Sequence, residues 1–401
     1  MRFGTDGVRG PAGLWPLDAE GVSRVGRAVA ETAPGPVVVA WDTRASSPAL
    51  SEALIEGLRR GGATALRAGV LPTPALSVAV PALGAAAGVM ITASHNPWMD
   101  NGVKVVGPDG AKVPNEAALE AAINAELLDA PQAGQVQDLL DPLSWWRARL
   151  PAVDLRGCHL LLDCANGAAS RAAPEALTAM GARLTVIAAE PDGRNINAGC
   201  GALHPPTDLG DADLAICLDG DGDRLTLVLP GPDGARILDG DDLLWLLAGE
   251  APTLPVIGTQ MSNGGLEAAL GGRLIRVAVG DKHVHEGMIR AGAAIGGEPS
   301  GHLLFHDGLP SACGLTTALR VLRGGLPLGP RLSGWTRWPS ARRDLRVRAD
   351  LSALVTPAAA EAAGCRVLVR LSGTEALTRV LVEGADCGAW ADAISREILD
   401  A

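Results

Sequence analysis

The chain has 401 residues, which is enough for about two to four domains of ordinary size. Hydrophobic residues make up 47% of it and charged residues 20%, and this composition excludes an intrinsically disordered protein. The formal net charge of -11 argues against nucleic acid as a partner, but a few local arginines and lysines would suffice to bind a small anion.

The seven cysteines form no C-x-x-C pair, and several lie in strand-like runs such as CHLLLDC and LAIC. Their spacing fits neither a zinc site nor a disulfide framework, so we expect reduced core cysteines in a cytoplasmic protein. The opening MRFGTDGVRG lacks the apolar core of a signal peptide, and no apolar run is long enough to span a bilayer. We therefore expect no membrane partner.

Along the chain, short strand-like runs alternate with helical patterns, which predicts an α/β fold. PVVVAWDTR (36–44) is a strand that enters a loop, and SPALSEALIEGLRRGG (47–62) is a helix. GVMITASHN is the next strand and loop, and VPNEAALEAAINAELL is the next helix. Arg9 and Arg44 lie beside glycines and serines, and each alone is typical of a solvated loop arginine.

The pattern breaks within residues 139–157, which we interpret as a linker. New strand–helix–strand patterns then begin at CHLLLDC and at LPVIGTQ, and the Gly/Pro-rich run RGGLPLGPRLSGW precedes a short α+β segment. We therefore predict three α/β domains with mixed sheets and a smaller α+β domain. The predicted boundaries are residues 1–150, 151–252, 253–335 and 336–401.

The run LDGDGDRLTLVLP contains three aspartates that alternate with glycines: Asp219, Asp221 and Asp223. Carboxylates at this spacing can direct oxygens at one hard cation, because the glycines let the backbone curl. A calcium-binding EF-hand would need glycine at Arg224 and glutamate at Pro230, so Mg²⁺ suits the run better. The alternative is an acidic, solvated hairpin turn.

Two further loops carry polar groups suited to a sugar phosphate. GGEPSGH (296–302), here named the sugar loop, offers Glu298, Ser300 and His302 for hydroxyl groups, although a tight turn is an equally good interpretation. VRLSGTEALTR (369–379), the arginine loop, offers donors to a phosphate from Arg370, Ser372, Gly373, Thr374 and Arg379. An ordinary hairpin loop is the alternative for this second run.

In TASHNPWMDNGVK (92–104), Ser94 follows a strand and precedes two turn signals. No G-x-S-x-G motif surrounds it, so a hydrolase triad is poorly supported. Together with the aspartates and the phosphate donors, Ser94 instead fits phosphoryl transfer, with Lys104 near the transferred group. Taken alone, the serine is more typical of a hydroxyl that caps a turn. In GDKHVHEG, Asp281 could be only a helix N-cap.

Five blocks occur in order along nearly the whole chain: FGTDGVRG, TASHNPWMDNGVK, DGDGDR, GGEPSGH and RLSGTEALTRVLVEG. Together they resemble the α-D-phosphohexomutase family. The resemblance implies four domains around a central cleft, each of which gives one loop to the active site. MRFGTDGVRG, VGDKHV, DGRNIN and TQMSNGGL further resemble the subgroup that acts on glucosamine phosphates.

The resemblance implies that Ser94 carries the phosphoryl group, and it implies roles for the matching residues. The implied Mg²⁺ ligands are Ser94, Asp219, Asp221 and Asp223. The residues implied to line the reaction site are Arg9, His95 and Lys104. The residues implied to bind substrate are Arg224, Glu298, Ser300, His302, Arg370, Ser372, Gly373, Thr374 and Arg379. The chain departs from the subgroup at Pro299, Leu371 and Ala376. Because Pro299 lies inside the sugar loop, the resemblance leaves the choice of sugar open.

The implied activity is the interconversion of glucosamine 6-phosphate and glucosamine 1-phosphate through a 1,6-bisphosphate, which would supply UDP-N-acetylglucosamine synthesis. The implied partners are hexosamine phosphates, and the protein would be a monomer or a homodimer. The same chemistry on glucose or mannose phosphates is the nearest alternative. A metal-dependent phosphatase and a non-catalytic sugar-phosphate-binding protein are alternatives of other classes.

Overall fold

The computed structural model describes residues 1, 7–113, 116–125, 128–232, 234–348, 351, 354–371 and 377–400. Within them the chain forms four β-sheets with helices packed against them, and each sheet with its helices is called a unit below. The described strands and helices follow one another in the alternating order that the sequence pattern predicts.

The first unit contains six strands and five helices: β1 (Val8–Pro11), α1 (Ala19–Thr32), β2 (Val37–Trp41), α2 (Ser47–Arg60), β3 (Ala65–Val70), α3 (Thr73–Ala82), β4 (Ala87–Ile91), β5 (Asp100–Val106), α4 (Glu116–Asn124), β6 (Val136–Asp138) and α5 (Ser144–Arg149). The strand order is β1-β5-β4-β2-β3-β6. Strands β4, β2, β3 and β6, which are adjacent in this order, run parallel to one another. Strand β5 runs antiparallel to both of its neighbours, β4 and β1.

The second unit contains β7 (His159–Asp163), α6 (Ala172–Ala179), β8 (Arg183–Ile187), a 3₁₀ turn (Gly201–Leu203), β9 (Leu214–Leu218), β10 (Leu225–Leu229) and β11 (Arg236–Leu238). Its strand order is β11-β10-β9-β7-β8. Strand β7 is parallel to β8 and β9, and β10 returns antiparallel to β9. The three predicted aspartates therefore lie in the hairpin between β9 and β10.

The third unit contains α7 (Gly240–Ala248), β12 (Val256–Thr259), α8 (Gly264–Leu270), β13 (Leu274–Val277), α9 (Asp281–Ala291), β14 (Ile295–Gly297), β15 (Leu303–Phe305), α10 (Gly314–Arg323) and a 3₁₀ turn (Gly329–Leu332). Its strand order is β13-β12-β14-β15, with only β15 antiparallel to its neighbour. The sugar loop is the connection between β14 and β15.

The fourth unit contains β16 (Ser340–Leu345), α11 (Thr356–Ala362), β17 (Arg366–Leu371), β18 (Thr378–Glu383) and α12 (Cys387–Asp400). Its three strands form an antiparallel sheet in the order β16-β18-β17. Along β18 the buried Val380 and Val382 alternate with the half-buried Arg379 and Leu381. This alternation is typical of a sheet with one face on its core, and it leaves the face with Arg379 for other contacts.

The first three units share one hydrophobic core. The largest buried cluster combines Val38 of the first sheet, Leu162 of the second and Leu319 of the third-unit helix α10. Trp146 on α5 belongs to the same cluster and is 1% exposed. The segment 139–157, predicted to be a linker, therefore contains a helix that is packed into the core.

Helices α1 and α2 approach each other so closely that glycine is required at the contact. A Cβ added to Gly26 would lie 2.3 Å from the carbonyl oxygen of Leu54, and a Cβ added to Gly57 would lie 2.0 Å from that of Ser23. Real Cβ atoms do not approach carbonyl oxygens so closely, so any side chain there would force the helices apart.

No disulfide joins the seven cysteines, all of which lie in described residues; four of them are buried, namely Cys164, Cys217, Cys313 and Cys365. Among the described helices, none has both the length and the apolar character that crossing a bilayer requires.

We predict that Gly26→Ala lowers the free energy of unfolding by about 1–3 kcal/mol, because the added methyl group overpacks the α1–α2 contact. Gly388→Ala is the matched control, since a Cβ at Gly388 of α12 meets no heavy atom within 4 Å. This control should be neutral or stabilising by up to about 1 kcal/mol. Thermal and urea unfolding measure both changes, and equal midpoints for the two variants would contradict the close helix crossing.

Candidate active site

Ser94 lies in the loop between β4 and β5, residues 92–99, which is called the serine loop below. Its side chain is fully buried, and its backbone has φ 52°, a left-handed conformation that costs a non-glycine residue about 1–3 kcal/mol. Its N–H donates to the hydroxyl of Thr92 (2.9 Å), which in turn donates to Asp42 (2.7 Å). The Ser94 hydroxyl donates to Asp219 Oδ2 of the second unit at 2.7 Å.

The three predicted aspartates form one buried cluster. Asp219, Asp221 and Asp223 each offer a carboxylate oxygen within 4.8 Å of the other two. One oxygen each of Asp221 and Asp223 (both Oδ1) is buried without a hydrogen-bond partner. Glycine is required at position 220, between Asp219 and Asp221, because a Cβ there would lie 2.6 Å from the carbonyl oxygen of Ser94. The cluster is therefore pressed against the serine loop, with unsatisfied oxygens suited to a hard cation.

Lys104, from β5 of the first unit, is the buried cation of this cluster. Its ammonium group donates to Asp221 Oδ2 at 2.7 Å and to Asp223 Oδ2 at 3.0 Å. Thr73, at the start of α3, donates its hydroxyl to the same Asp221 oxygen at 2.5 Å. Lys104 thus lies in the predicted site, where it donates to two of the three aspartates.

The three carboxylates differ strongly in pKa. Burial, together with the charges of Asp223 and Asp221, raises the pKa of Asp219 to about 8. For Asp221, burial and Asp223 also raise the pKa, but the charge and hydrogen bond of Lys104 outweigh them and lower it. For Asp223, burial raises the pKa, but the charge of Lys104 and the interaction with His302 outweigh it. The pKa of Asp223 therefore lies well below the usual range. The carboxylate beside Ser94 is therefore the one with the least compensation for its charge.

His302 of the sugar loop connects this cluster to a second pair of charges. His302 Nδ1 lies 3.7 Å from Asp223 Oδ1, and its Nε2 lies 3.8 Å from Asp281 Oδ2. Burial lowers the pKa of His302, but Asp223 and Asp281 outweigh it and raise the pKa. Asp281 accepts from Lys112 Nζ at 2.7 Å and is not a helix N-cap, because α9 begins at Asp281 itself with Gly280 at the cap position.

The sugar loop contacts the aspartate hairpin directly. Leu225 N–H donates to the carbonyl oxygen of Gly301 at 3.1 Å, and a Cβ on Gly301 (φ 84°) would clash with Leu225. Glu298 accepts from Gly280 N–H at 2.9 Å and is half-buried, whereas Ser300 is exposed. A cavity of about 220 Å³ lies beside His302 and is lined by residues of all three units, including Lys104, Lys112, Asp223 and Asp281.

Arg9, His95 and Arg224 complete the surroundings of Ser94. Burial lowers the pKa of Arg9, against the opposing charges of the nearby aspartates. The pKa of His95 falls to about 4 through burial and the charges of Arg224 and Arg9, so the imidazole is neutral near pH 7. His95 Nδ1 lies 3.4 Å from the Ser94 hydroxyl, and Arg224 N–H donates to Asp219 at 3.1 Å. The structure thus brings the predicted reaction-site residues together.

In the fourth unit, Arg370 and Arg379 lie directly opposite each other on β17 and β18. Burial, followed by the charges of Arg379 and Arg342, lowers the pKa of Arg370. Arg342 on β16 adds a third guanidinium to this face of the sheet, and it pairs with Asp344 at 2.8 Å. Sequence patterns do not reveal this residue. The predictions for Ser372, Gly373 and Thr374 lie outside the described residues, as does the departure at Ala376.

Arg44 corrects the expectation of a solvated loop arginine. It is 1% exposed, its Nε donates to Asp42 at 2.8 Å, and its Nη2 donates to the carbonyl oxygens of Ser94 and Asn96, both at 2.9 Å. Asn197 also donates its side-chain amide to Ser94 O, at 2.9 Å. Neither residue is marked by a sequence motif for chemistry, although the Asp42-x-Arg44 spacing is a signal for a local ion pair.

Residues 1–130 match the family model of phosphoglucomutase/phosphomannomutase alpha/beta/alpha domain I, and residues 239–329 match that of domain III. The phosphoglucosamine mutase of Koribacter versatilis is 39% identical over 100% of this chain and 96% of its own length. That of Thermus thermophilus is 40% identical over 99% of this chain and 96% of its own length.

Solved structures show the same fold. A phosphoglucomutase/phosphomannomutase family protein from Burkholderia thailandensis superposes with TM-score 0.80 at 24% identity, covering 98% of this chain and 96% of its own. A putative phosphomannomutase from Thermus thermophilus superposes with TM-score 0.76 at 24% identity, covering 100% of this chain and 99% of its own. These neighbours confirm the predicted α/β fold of four domains around a cleft. The full-length matches show that the chain belongs to the α-D-phosphohexomutase family, within which it groups with the phosphoglucosamine mutases.

Proposed function

We propose that this protein interconverts glucosamine 6-phosphate and glucosamine 1-phosphate, with Ser94 as the carrier of the phosphoryl group. The observation that supports this proposal most directly is the Ser94 hydroxyl, 2.7 Å from Asp219 within a cluster of three buried carboxylates. It occurs in a chain that matches phosphoglucosamine mutases over its whole length. A hydroxyl at a site built for a cation suits phosphoryl transfer, in which positioning and electrostatics supply most of the catalysis.

Phospho-Ser94 donates its phosphoryl group to the free hydroxyl of the sugar phosphate. The bond from phosphorus to the serine oxygen breaks and a bond to the sugar oxygen forms, while the sugar hydroxyl loses a proton and the serine oxygen gains one. The resulting 1,6-bisphosphate turns over in the cleft and returns its other phosphoryl group to Ser94. Neutral His95, with a pKa of about 4, lies 3.4 Å from the serine oxygen, and Arg9 adds positive charge beside the transferred group.

The aspartate cluster fits Mg²⁺. Asp219, Asp221 and Asp223 would hold the ion together with an oxygen of phospho-Ser94, as the unpartnered oxygens of Asp221 and Asp223 suggest. The raised pKa of Asp219 gives the same indication, because a divalent cation supplies the compensation that this carboxylate lacks. When bound, Mg²⁺ would stabilise negative charge on the transferring phosphoryl group.

A turning bisphosphate needs a second anchor, away from Ser94. Arg370 and Arg379 face each other on the fourth sheet and are suited to the phosphate that does not react, together with the rest of the arginine loop. Arg224, whose backbone N–H donates to Asp219, would bind substrate at the Ser94 end of the site. Glu298, Ser300 and His302 would bind sugar hydroxyls. On this proposal each predicted domain supplies one loop to the cleft, namely residues 1–150, 151–252, 253–335 and 336–401.

We predict that Ser94→Ala lowers mutase turnover at least about 1,000-fold, because no side-chain oxygen remains to carry the phosphoryl group. The assay follows glucosamine 1-phosphate with a sugar 1,6-bisphosphate supplied, and mass spectrometry locates phosphate on Ser94 of the unmodified protein. Ser51→Ala is the matched control, since Ser51 is a buried serine of α2 that donates to Pro48 O. Full turnover by the Ser94 variant would rule out the phosphoserine mechanism.

We predict a higher kcat/KM for glucosamine 1-phosphate than for glucose 1-phosphate or mannose 1-phosphate. Each sugar is assayed at matched bisphosphate and Mg²⁺ concentrations. A preference for glucose or mannose phosphate would instead support the alternative, the same mechanism acting on glucose or mannose phosphates. Steady release of inorganic phosphate would instead identify a phosphatase.

We predict that Mg²⁺ stabilises the protein against thermal unfolding, by about 2.7 kcal/mol at a concentration 100 times its Kd. Asp221→Asn should weaken this stabilisation, because the substitution removes a charged oxygen while keeping the shape of the side chain. Asp307→Asn is the control, since Asp307 pairs with Arg320 at the surface. Equal Mg²⁺ shifts in the two variants would be evidence against the metal site.

A further inference from the structure

A turn of the second unit packs directly on the serine loop. This turn is the DGRNIN run, residues 192–197, and it contacts the first unit in three places. Ala45 N–H donates to Gly193 O at 2.8 Å, and the guanidinium of Arg194 lies 5.3 Å from the ring centre of Trp98. The side-chain amide of Asn197 donates to Ser94 O at 2.9 Å and to Asn96 O at 3.2 Å.

Arg44 donates to the same two carbonyl oxygens from the opposite side of the boundary between the units. Its Nη2 lies 2.9 Å from both Ser94 O and Asn96 O, and its Nη1 donates to Asp100 O at 3.0 Å. The ion pair with Asp42 fixes this guanidinium, because both side chains are fully buried. The carbonyl groups on either side of His95 are therefore held by two buried donors, one from each unit.

The serine loop needs this support because its conformation is unfavourable in isolation. Ser94 has a left-handed backbone, and its carbonyl oxygen is directed into the protein, away from solvent. The fit allows no extra atom, since a Cβ on Gly220 would lie 2.6 Å from Ser94 O and 2.8 Å from the amide nitrogen of Asn197. The side-chain amide of Asn197 is therefore packed directly against the Ser94 backbone.

We infer that Asn197, together with Arg44, is a positioning residue that orients the Ser94 backbone so that its hydroxyl faces Asp219 across the boundary between the two units. Asn197 and the aspartate hairpin belong to the same unit, whereas Ser94 belongs to the other. The Asn197 amide thus sets the serine relative to the carboxylates. This inference rests on the proposed function, in which Ser94 must return to the same place after each phosphoryl transfer.

The test uses two substitutions that keep the left-handed backbone of Asn197, which has φ 57°. Asn197→Gly removes the amide, and glycine adopts this conformation without strain. Asn197→Asp keeps the shape of the side chain, and aspartate tolerates the left-handed backbone as asparagine does. It directs a carboxylate oxygen, however, at the two carbonyl oxygens. Asp386→Gly is the control, because Asp386 (φ 53°) is another left-handed polar residue and lies in the fourth unit, before α12.

For Asn197→Gly, kcat and the rate of phosphate transfer onto Ser94 from a sugar bisphosphate should fall about 10- to 100-fold, because the reacting oxygen is misplaced. KM should not change, since the substrate-binding loops are elsewhere. Asn197→Asp should lose more activity than Asn197→Gly, and Asp386→Gly should lose none. A raised KM with unchanged kcat would overturn the inference, because it would indicate a role in substrate binding.

Hydrogen exchange provides a readout that does not depend on activity. The peptide of residues 89–104 should exchange faster in Asn197→Gly than in the unmodified protein or in Asp386→Gly. If the glycine variant does not fold, Arg194→Ala removes an exposed side chain from the same turn and should give a smaller change in the same direction. Unmodified protein without turnover or phosphate on Ser94 would reject the proposed function alone, whereas unchanged exchange and kcat in the variants would reject the positioning role.

Discussion

The geometry of the site depends on the contact between the Ser94 hydroxyl and the Asp219 carboxylate, which joins the first two units. A buried carboxylate is costly unless charge or hydrogen bonds compensate it. Here three carboxylates lie together, with Lys104 as their directly bonded ammonium group. The close approach of the serine loop to this cluster is possible only because Gly220 has no side chain. Ser94 and the acidic cluster therefore require each other's backbone geometry.

Charge compensation extends this dependence to the third unit. Acidic and basic side chains alternate in a row of six ionisable groups that crosses the three units: Lys112, Asp281, His302, Asp223, Lys104 and Asp221. The lysines come from the first unit and the aspartates and histidine from the second and third. Within this row the neighbours of each lysine are aspartates from another unit, so packing of the three units and assembly of the site stabilise each other. A divalent cation would add positive charge where Asp219 has the least compensation.

The sequence predicts the groups whose chemistry follows from spacing, and it misses those that act on the backbone. Asp219, Asp221 and Asp223 are recognisable because glycines alternate with them after a buried strand. Arg44 and Asn197 donate to carbonyl oxygens, which every residue has, so the residue types around those carbonyls give no signal. The burial of Arg44 depends on tertiary partners up to 56 positions away along the chain. In the same way, Trp146 is buried in a core that three units share, which its local sequence does not indicate.

The fourth unit is attached to the other three units in a different way. Its buried cluster contains only fourth-unit side chains, such as Val380 and Ile394. Its described contacts with the third unit include polar ones, in which Asn263 donates to Trp338 O at 3.1 Å and Glu383 accepts from Gly264 N–H at 2.8 Å. Such hydrogen bonds depend on the direction and identity of both partners, whereas apolar burial is non-directional. The separation between Ser94 and Asp219 is therefore fixed by burial in a shared apolar core, whereas Arg370 and Arg379 are placed relative to Ser94 partly through directional polar contacts.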